Sequence, residues 1–277
     1  MVSKKIISDE IKTSPELIKA LSINVDQSDD RREIKKFNEV VGFCEQVIRI
    51  IETYPESKEI VFLDCSCGKS YLSFALNYII SKRFAKKTFF YGVDTNRILV
   101  ETCDRISGSL GFKNMQFICA RIIDVFPEKP IDMIIALHAC DSATDEAIAK
   151  GIKLGAKHIV VVPCCENQIR NRLKTGHPLV ELTDFGLLRY RFADILTEAL
   201  RAQFLMGVGY YVKLIEMISP RFTPKNLMIM ARKKRSKKYN MDNYKKLDEM
   251  FNTDFVLKRY FQDHDFVRNN YSDLVNS

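Results

Sequence analysis

The chain has 277 residues, 46% of them hydrophobic, and a formal net charge of +8. This composition excludes collagen-like, disordered and disulfide-scaffold proteins, and it suits one large α/β domain with a helical appendage. No apolar run approaches the roughly 20 residues of a membrane span and no signal-peptide core is visible, so we expect a cytoplasmic protein with reduced cysteines. The positive charge modestly favours a polyanionic partner.

Residues 1–57 are predicted to form an N-terminal helical extension. The stretch "SPELIKALS" begins with a serine cap and a proline in the first turn. A second stretch, "DDRREIKKFNEVVGFCEQVIRIIETYP", places apolar residues at helical spacing until a proline ends it.

Residues 58–232 alternate short apolar runs with helical stretches, which predicts an α/β domain. The alternation favours parallel strands joined by right-handed crossovers, in the order 3-2-1-4-5 for the first five, with ligands bound at the carboxyl ends of the strands. The last two runs are joined by "PRFTPK", which suits a hairpin and not a helical crossover, so the sheet should finish antiparallel. The predicted strands cover 60–64, 88–93, 115–119, 131–137, 157–162, 209–218 and 226–231.

Residues 233–277 are predicted to hold the remainder of a basic run and a C-terminal helix. The basic run occupies 232–238, and the helix is predicted over 241–262. Such a run after a final strand is usually a solvated linker, but it is also a candidate contact for nucleic acid.

The first predicted strand ends in the loop "DCSCGKS", whose last three residues suggest a phosphate-binding loop. Such a loop needs a glycine at the position held here by Leu63, so that backbone N–H groups can surround a phosphate. The nucleoside triphosphate interpretation is therefore weak. The small residues Ser66, Gly68 and Ser70 instead allow a ligand to approach the backbone at the start of the next helix.

The second predicted strand, "TFFYGVD", ends in Asp94. Folds that bind dinucleotides place an acid at the end of this strand, where it accepts hydrogen bonds from the ribose hydroxyls. The alternative is that Asp94 only caps the following helix.

Three predicted strand ends carry cysteine or histidine. If the strand order is as expected, these ends are adjacent and surround one crevice. Zinc and iron–sulfur clusters take such ligands, but no C-x-x-C spacing is present, so packing or substrate contact is favoured and we predict no bound metal. The residues are Cys65, Cys67, His138, Cys140, Cys164 and Cys165.

These motifs resemble a known family. The loop from Asp64 resembles the D-x-G-x-G-x-G loop of class I S-adenosylmethionine methyltransferases, with serines in place of two glycines. "KKFNEV", "LHACDSATDEA", "VPCC" and "TPKN" further resemble the methyltransferase domain shared by eukaryotic tRNA acceptor-stem 2'-O-methyltransferases, glutathione S-transferase C-terminal-domain-containing protein and bacterial relatives. The resemblance covers roughly residues 33–231 and implies a Rossmann-like seven-stranded class I methyltransferase sheet, mostly parallel, with a terminal antiparallel hairpin.

The resemblance implies S-adenosyl-L-methionine as cofactor and assigns residues to it. Asp64, Ser66 and Gly68 would approach its methionine part, and Asp94 would bind the ribose. Arg121 and Ile122 would contact the adenine, although Arg121 replaces the customary acid. His138 would lie near the transferable methyl group.

The catalytic group is left open among three residues. His138 or Asp141 could remove a proton from the acceptor. The Lys-Asp-Lys-Glu set of ribose methyltransferases is incomplete, since Lys36, Asp141 and Glu216 match only three members. A pyrimidine C5 mechanism would instead use Cys164 as nucleophile, with Cys140 as the second cysteine.

The predicted function is methyl transfer to RNA, most plausibly tRNA or rRNA. The N-terminal helices and the 232–238 run would contact the RNA beside the crevice. The alternatives are a small-molecule or protein methyltransferase and a non-catalytic RNA-binding module with a degenerate cofactor pocket. The sequence does not predict the oligomeric state.

Overall fold

The computed structural model describes residues 2–21, 31–139, 142–164, 167–235 and 239–261. Three helices form the N-terminal part: α1 (Lys4–Lys12), α2 (Pro15–Leu21) and α3 (Arg31–Ile51). The hydroxyl of Ser3 caps α1 by accepting a hydrogen bond from the Ile6 N–H. The expected N-terminal helices are confirmed.

The seven predicted strands all form and build one sheet in the order β3-β2-β1-β4-β5-β7-β6. The first five strands are parallel, and β7 is antiparallel to both β5 and β6. This confirms the mostly parallel Rossmann-like sheet with a terminal antiparallel hairpin. The strands are β1 (Ile60–Cys65), β2 (Thr88–Asp94), β3 (Met115–Cys119), β4 (Met133–Leu137), β5 (His158–Val162), β6 (Tyr210–Glu216) and β7 (Leu227–Lys233).

Helices cover both faces of the sheet, because its central strands are apolar on each side. One face packs against α1 to α5, and the other packs against α6, α7, α9 and α10, each with its own hydrophobic core. The further helices are α4 (Tyr71–Arg83), α5 (Arg97–Ser109), α6 (Ser142–Lys153), α7 (Asn167–Arg172), α8 (Val180–Thr183), α9 (Gly186–Gly207) and α10 (Asp242–Phe251). Among the described helices, none has the length and apolar character needed to cross a membrane.

Helix α3 crosses the sheet from one edge to the other. We call the edge at the carboxyl ends of the parallel strands the carboxyl edge, and the opposite one the amino edge. In the first half of α3, Glu39 contacts His138, which follows β4 at the carboxyl edge. Beyond its end, Tyr54 contacts His158, the first residue of β5 at the amino edge. Gly42 permits this close packing, because a Cβ there would lie 2.6 Å from Ile218.

Two sequence predictions about the C-terminal part are wrong in detail. The helix predicted over 241–262 ends at Phe251, where Asn252 takes a left-handed conformation (φ 45°), and a 3₁₀ helix follows at Val256–Phe261. The part of the basic run that the structure describes, residues 232–235, does not lie beside the crevice. Because β7 is antiparallel to β5, Arg232 pairs with His158 at the amino edge, and residues 236–238 lie outside the described residues.

Candidate active site

The loop after β1 turns sharply through three left-handed residues. Ser66, Gly68 and Ser70 have φ angles of 54°, 56° and 51°. A side chain makes this conformation costly by roughly 1–2 kcal/mol per residue, so two serines here are unusual. The loop is tied to β2 by a hydrogen bond from the Cys67 N–H to the Val93 carbonyl. A Cβ on Gly68 would meet nothing within 4 Å, so the loop backbone faces open space.

Asp94 joins this loop to the end of β2. One carboxylate oxygen accepts a hydrogen bond from the Gly68 N–H at 2.9 Å, and the other accepts one from the Asn96 N–H at 2.9 Å. The carboxylate therefore braces the loop, and its half-buried position at the strand end also suits a ribose. Capping of the next helix falls instead to Asn96, whose side chain accepts from the N–H groups of Ile98 and Leu99.

Asp64 lies beneath the loop and is buried. One of its oxygens accepts hydrogen bonds from Ser73 (2.6 Å) and Ser70 (3.2 Å), which fix the first turn of α4. Burial raises the pKa of Asp64 to about 7; the two serine hydroxyls lower this pKa by a smaller amount, and the charge of nearby Asp94 raises it slightly. Its carboxylate thus supports the loop from below.

A cavity of about 200 Å³ opens beside the loop and contains four of the predicted cofactor residues, Ser66, Asp94, Arg121 and Ile122. Sequence reasoning missed Glu146 on α6, which also lines this cavity. Glu146 accepts hydrogen bonds from Arg121 (2.8 Å) and Tyr260 (3.3 Å). The cavity is lined by Ser66, Asp94, Thr95, Ala120, Arg121, Ile122, Ser142, Ala143 and Glu146.

His138 follows β4 in a left-handed conformation, with φ 63°. Its backbone N–H donates to the Val162 carbonyl at 3.0 Å, which continues the pairing of β4 with β5. Its Nε2 lies 2.9 Å from a carboxylate oxygen of Glu39, which is buried. Glu39 was also missed by sequence reasoning, although it lies within the "KKFNEV" motif, because one acid in a charged helix gives no signal of its partner.

The predicted catalytic residues are only partly within the described structure. The Cys164 thiol is 3.8 Å from the His138 carbonyl oxygen, so the ends of β4 and β5 do bring these two residues together. Asp141, Cys140 and Cys165 lie outside the described residues.

The remaining members of the ribose methyltransferase comparison are separated. Lys36 Nζ lies 3.3 Å from the ring centre of Tyr71, close to the loop after β1. Glu216 is exposed at the carboxyl end of β6 and lines a different cavity.

That second cavity, of about 610 Å³, lies at the carboxyl edge between α9 and the β6–β7 hairpin. It starts next to Cys164 and is bordered by exposed apolar side chains of α9, including Leu187 and Ile195. Its lining residues are Pro163, Leu187, Tyr190, Arg191, Asp194, Ile195, Glu198, Glu216, Pro224, Lys225, Asn226 and Leu227.

The described cysteines near the loop take part in packing. Cys65 is fully buried, and burial raises the pKa of its thiol well above the ordinary value. Cys103 on α5 donates from its thiol to the Gly68 carbonyl at 3.3 Å. Within the described ranges, no group of three or more His, Cys, Asp or Glu side chains is arranged to hold a metal ion. The prediction that the protein binds no metal still awaits elemental analysis.

A comparison with protein families finds a match, which covers the residues of this site. Residues 35–172 match the family model described as a methyltransferase domain. This stretch contains Glu39, the loop after β1, Asp94 and His138. No curated protein matches the sequence.

Several solved methyltransferase structures resemble the chain. Magnesium protoporphyrin IX methyltransferase from Synechocystis PCC 6803, with bound S-adenosylmethionine, is 14% identical, with 84% of this chain and 98% of that chain covered and a TM-score of 0.49. An rRNA methylase from Streptococcus thermophilus is 13% identical, with 68% and 94% covered and a TM-score of 0.44. A methyltransferase from Podospora anserina is 12% identical, with 83% and 94% covered and a TM-score of 0.48. At these values the likenesses carry no argument about the acceptor, and the nearer resemblance to tRNA enzymes stays a prediction.

The strand order, the small-residue loop that follows β1 and the methyltransferase-domain match together identify the chain as a class I S-adenosylmethionine-dependent methyltransferase.

Proposed function

We propose that the protein transfers a methyl group from S-adenosylmethionine to RNA, most plausibly tRNA or rRNA, and that His138 is the general base. Ser66 and Gly68 would hold the methionine part of the cofactor, and Asp94 would bind the ribose. The adenine would lie in the 200 Å³ cavity against Ile122. Arg121 is held by Glu146 at 2.8 Å and would close the rim of that cavity.

The observation that carries the RNA proposal is the charge of the helix next to His138. Four of the first six residues of α3 are cationic, and Glu39, one turn later, reaches the imidazole. Since a helix rises about 1.5 Å per residue, these cations lie within roughly 12 Å of Glu39 along the helix axis. Such a cluster attracts phosphates to the reacting centre. The cations are Arg31, Arg32, Lys35 and Lys36.

The proposed mechanism follows from the placement of His138. The cofactor supplies an electrophilic methyl group on a sulfonium, and the acceptor must attack in line while it loses a proton. His138 lies at the end of β4, the central position of the carboxyl edge, and is about one third exposed. Its imidazole would take the proton from an acceptor hydroxyl or amino group and pass it to solvent. Asp141 as the base and Cys164 as a C5 nucleophile remain alternatives.

A second candidate function is supported by the 610 Å³ cavity. Leu187 and Ile195 are 65% and 67% exposed at its border, and Tyr190 lies between them on the same helix. Apolar walls with a few polar groups are typical of sites for small molecules. A small-molecule or peptide acceptor is therefore the alternative to RNA.

The deciding experiment incubates the purified protein and labelled methyl donor with total RNA from a strain that lacks the protein. The RNA is then digested and the labelled nucleoside identified, while metabolite and protein extracts of the same strain are tested in parallel. Label in a ribose-methylated or base-nitrogen-methylated nucleoside supports the proposal, and label at pyrimidine C5 favours Cys164. Label found only in the metabolite or protein extract overturns the RNA proposal. Binding of the labelled RNA should weaken steeply with salt, because phosphate contacts release counterions.

A further inference from the structure

Two features of the contact between Glu39 and His138 lower the stability of the folded protein. The side chain of Glu39 is 4% exposed, yet one of its oxygens accepts no hydrogen bond from the described residues. The nearest cation to that oxygen is Lys35 Nζ, at 3.7 Å. A buried carboxylate with an unsatisfied oxygen lowers stability. His138, its partner, adopts a left-handed backbone conformation that also disfavours folding.

A second buried glutamate on the same helix has a carboxylate whose burial is compensated by hydrogen bonds. Glu45 accepts hydrogen bonds from Arg49 at 3.1 Å and from Gln46 at 3.2 Å, and Lys4 Nζ lies 3.9 Å away. Both of its oxygens have partners. The two buried acids on α3 thus differ in their partners: Glu39 faces a histidine, whereas Glu45 faces an arginine, a glutamine and a lysine.

We infer that Glu39 is a positioning residue for His138, an inference that rests on the proposed role of His138 as general base. The carboxylate accepts a hydrogen bond from Nε2–H, at the observed 2.9 Å, and this fixes the tautomer in which Nδ1 carries the lone pair. Nδ1 then takes the proton of the acceptor as the acceptor oxygen or nitrogen bonds to the methyl carbon and the bond from that carbon to sulfur breaks. The negative charge of Glu39 stabilises the imidazolium so formed, and the proton leaves to solvent.

The burial of Glu39 adds to this effect. Water would screen a carboxylate on the surface, whereas the side chain of Glu39 is only 4% exposed. In such surroundings the interaction between the carboxylate and an imidazolium is stronger than in water. The stability lost by burying the acid thus becomes an advantage in the transition state.

The test compares three variants of the full-length protein: Glu39→Gln, which keeps the shape and removes the charge, Glu39→Leu, which removes both, and Glu45→Gln as the matched control. The first measurement is the ¹⁵N spectrum of the histidine side chains, with His138 assigned through a His138→Asn variant. We expect the Nε2–H tautomer in the wild type and in Glu45→Gln, and a mixture of tautomers in Glu39→Leu. An Nδ1–H tautomer in the wild type, or no change in Glu39→Leu, would overturn the inference.

The second measurement separates positioning from a structural role. Both Glu39 variants should unfold at a denaturant midpoint equal to or above that of the wild type, while their kcat falls on the order of 10- to 100-fold with KM little changed. Glu45→Gln should lose stability and keep its kcat once folded. Lower stability with unchanged kcat in the Glu39 variants would show that Glu39 is structural.

The spectroscopic result requires no acceptor, so it stands apart from the RNA proposal. A tautomer that depends on Glu39, together with no methylation of RNA, would retain the positioning role and reject the acceptor. A tautomer independent of Glu39 would reject the positioning role whatever the acceptor is.

Discussion

The two edges of the sheet each hold a histidine next to α3, in opposite electrostatic surroundings. At the carboxyl edge, His138 faces the buried carboxylate of Glu39. At the amino edge, His158 lies 2.9 Å from the Tyr54 hydroxyl, and Arg232 and Lys157 are close by. Burial, together with these two cations, lowers the pKa of His158 to about 4, although nearby Asp132 acts in the opposite direction.

The same residue type therefore has a different role at each edge of the sheet. Its role depends on the strand end at which it lies and on the charge of its partner. The amino edge keeps His158 neutral at physiological pH, and its hydrogen bond with the Tyr54 hydroxyl fixes the chain just beyond the end of α3. The carboxyl edge provides a partner that can stabilise a protonated imidazole, beside the loop and cavity proposed for the cofactor.

The largest expected effect comes from removing each histidine in turn. His138→Asn keeps a residue that tolerates the left-handed backbone, and we expect it to lower kcat by roughly 10²- to 10⁴-fold, because general-base catalysis is lost. His158→Asn, whose amide can still form a hydrogen bond with the Tyr54 hydroxyl, should leave kcat within about two-fold. Steady-state rates with the acceptor found by the extract assay provide the measurement. Equal losses in both variants would contradict the assignment of catalysis to the carboxyl edge.

The next effect concerns the pH dependence of stability at Asp64. The folded protein disfavours the ionised carboxylate, since burial raises its pKa from 3.8 to about 7. The free energy of unfolding contributed by Asp64 is therefore fully present below pH 3.8 and is lost as the pH rises to about 7. The loss amounts to roughly 4 kcal/mol. Urea unfolding between pH 4 and pH 8 measures it, and Asp64→Asn should abolish this slope. The same slope in both proteins would show that another group causes it.

A smaller effect is expected when Asp94 is replaced by alanine. The substitution should cost roughly 1.5–3 kcal/mol in the binding of S-adenosylhomocysteine, because it removes the proposed charge-assisted bonds to the ribose and the brace on Gly68. Isothermal calorimetry measures the affinity. Asp104→Ala, on the exposed side of α5, is the control and should bind normally. Unchanged affinity for Asp94→Ala would remove Asp94 from the cofactor site.

The smallest effect is the acid sensitivity contributed by His158. The unfolded chain takes up a proton below its ordinary pKa of 6.5, whereas the folded protein resists this until about pH 4. The stability due to the neutral histidine is therefore present above pH 6.5 and is lost as the pH falls towards 4. Because the imidazole is partly exposed, we expect only about 1–2 kcal/mol. Unfolding curves of the wild type and His158→Asn should converge in acid, and parallel curves would argue against a neutral His158. This slope is opposite in sign to that of Asp64.

The sequence by itself determined the local elements and the chemistry of the cofactor loop. Short apolar runs predicted all seven strands, since burial on both sheet faces requires continuous apolar residues, and the short connection between the last two runs predicted the terminal hairpin. Small residues after the first strand predicted the tight loop, because that loop depends on local backbone conformation alone. The acid at the end of the second strand was also singled out, although its hydrogen bond from the Gly68 N–H was not predicted.

The tertiary structure alone decided which distant side chains meet. Glu39 and His138 are joined only because α3 crosses the sheet, and Glu146 reaches Arg121 only because α6 packs beside the cavity. The first, described residues of the basic run were assigned to the wrong edge, since their position depends on the antiparallel direction of β7 beside β5. Such contacts involve one side chain from each element, so no periodicity or spacing along the chain records them, and only the packing of whole elements brings them together.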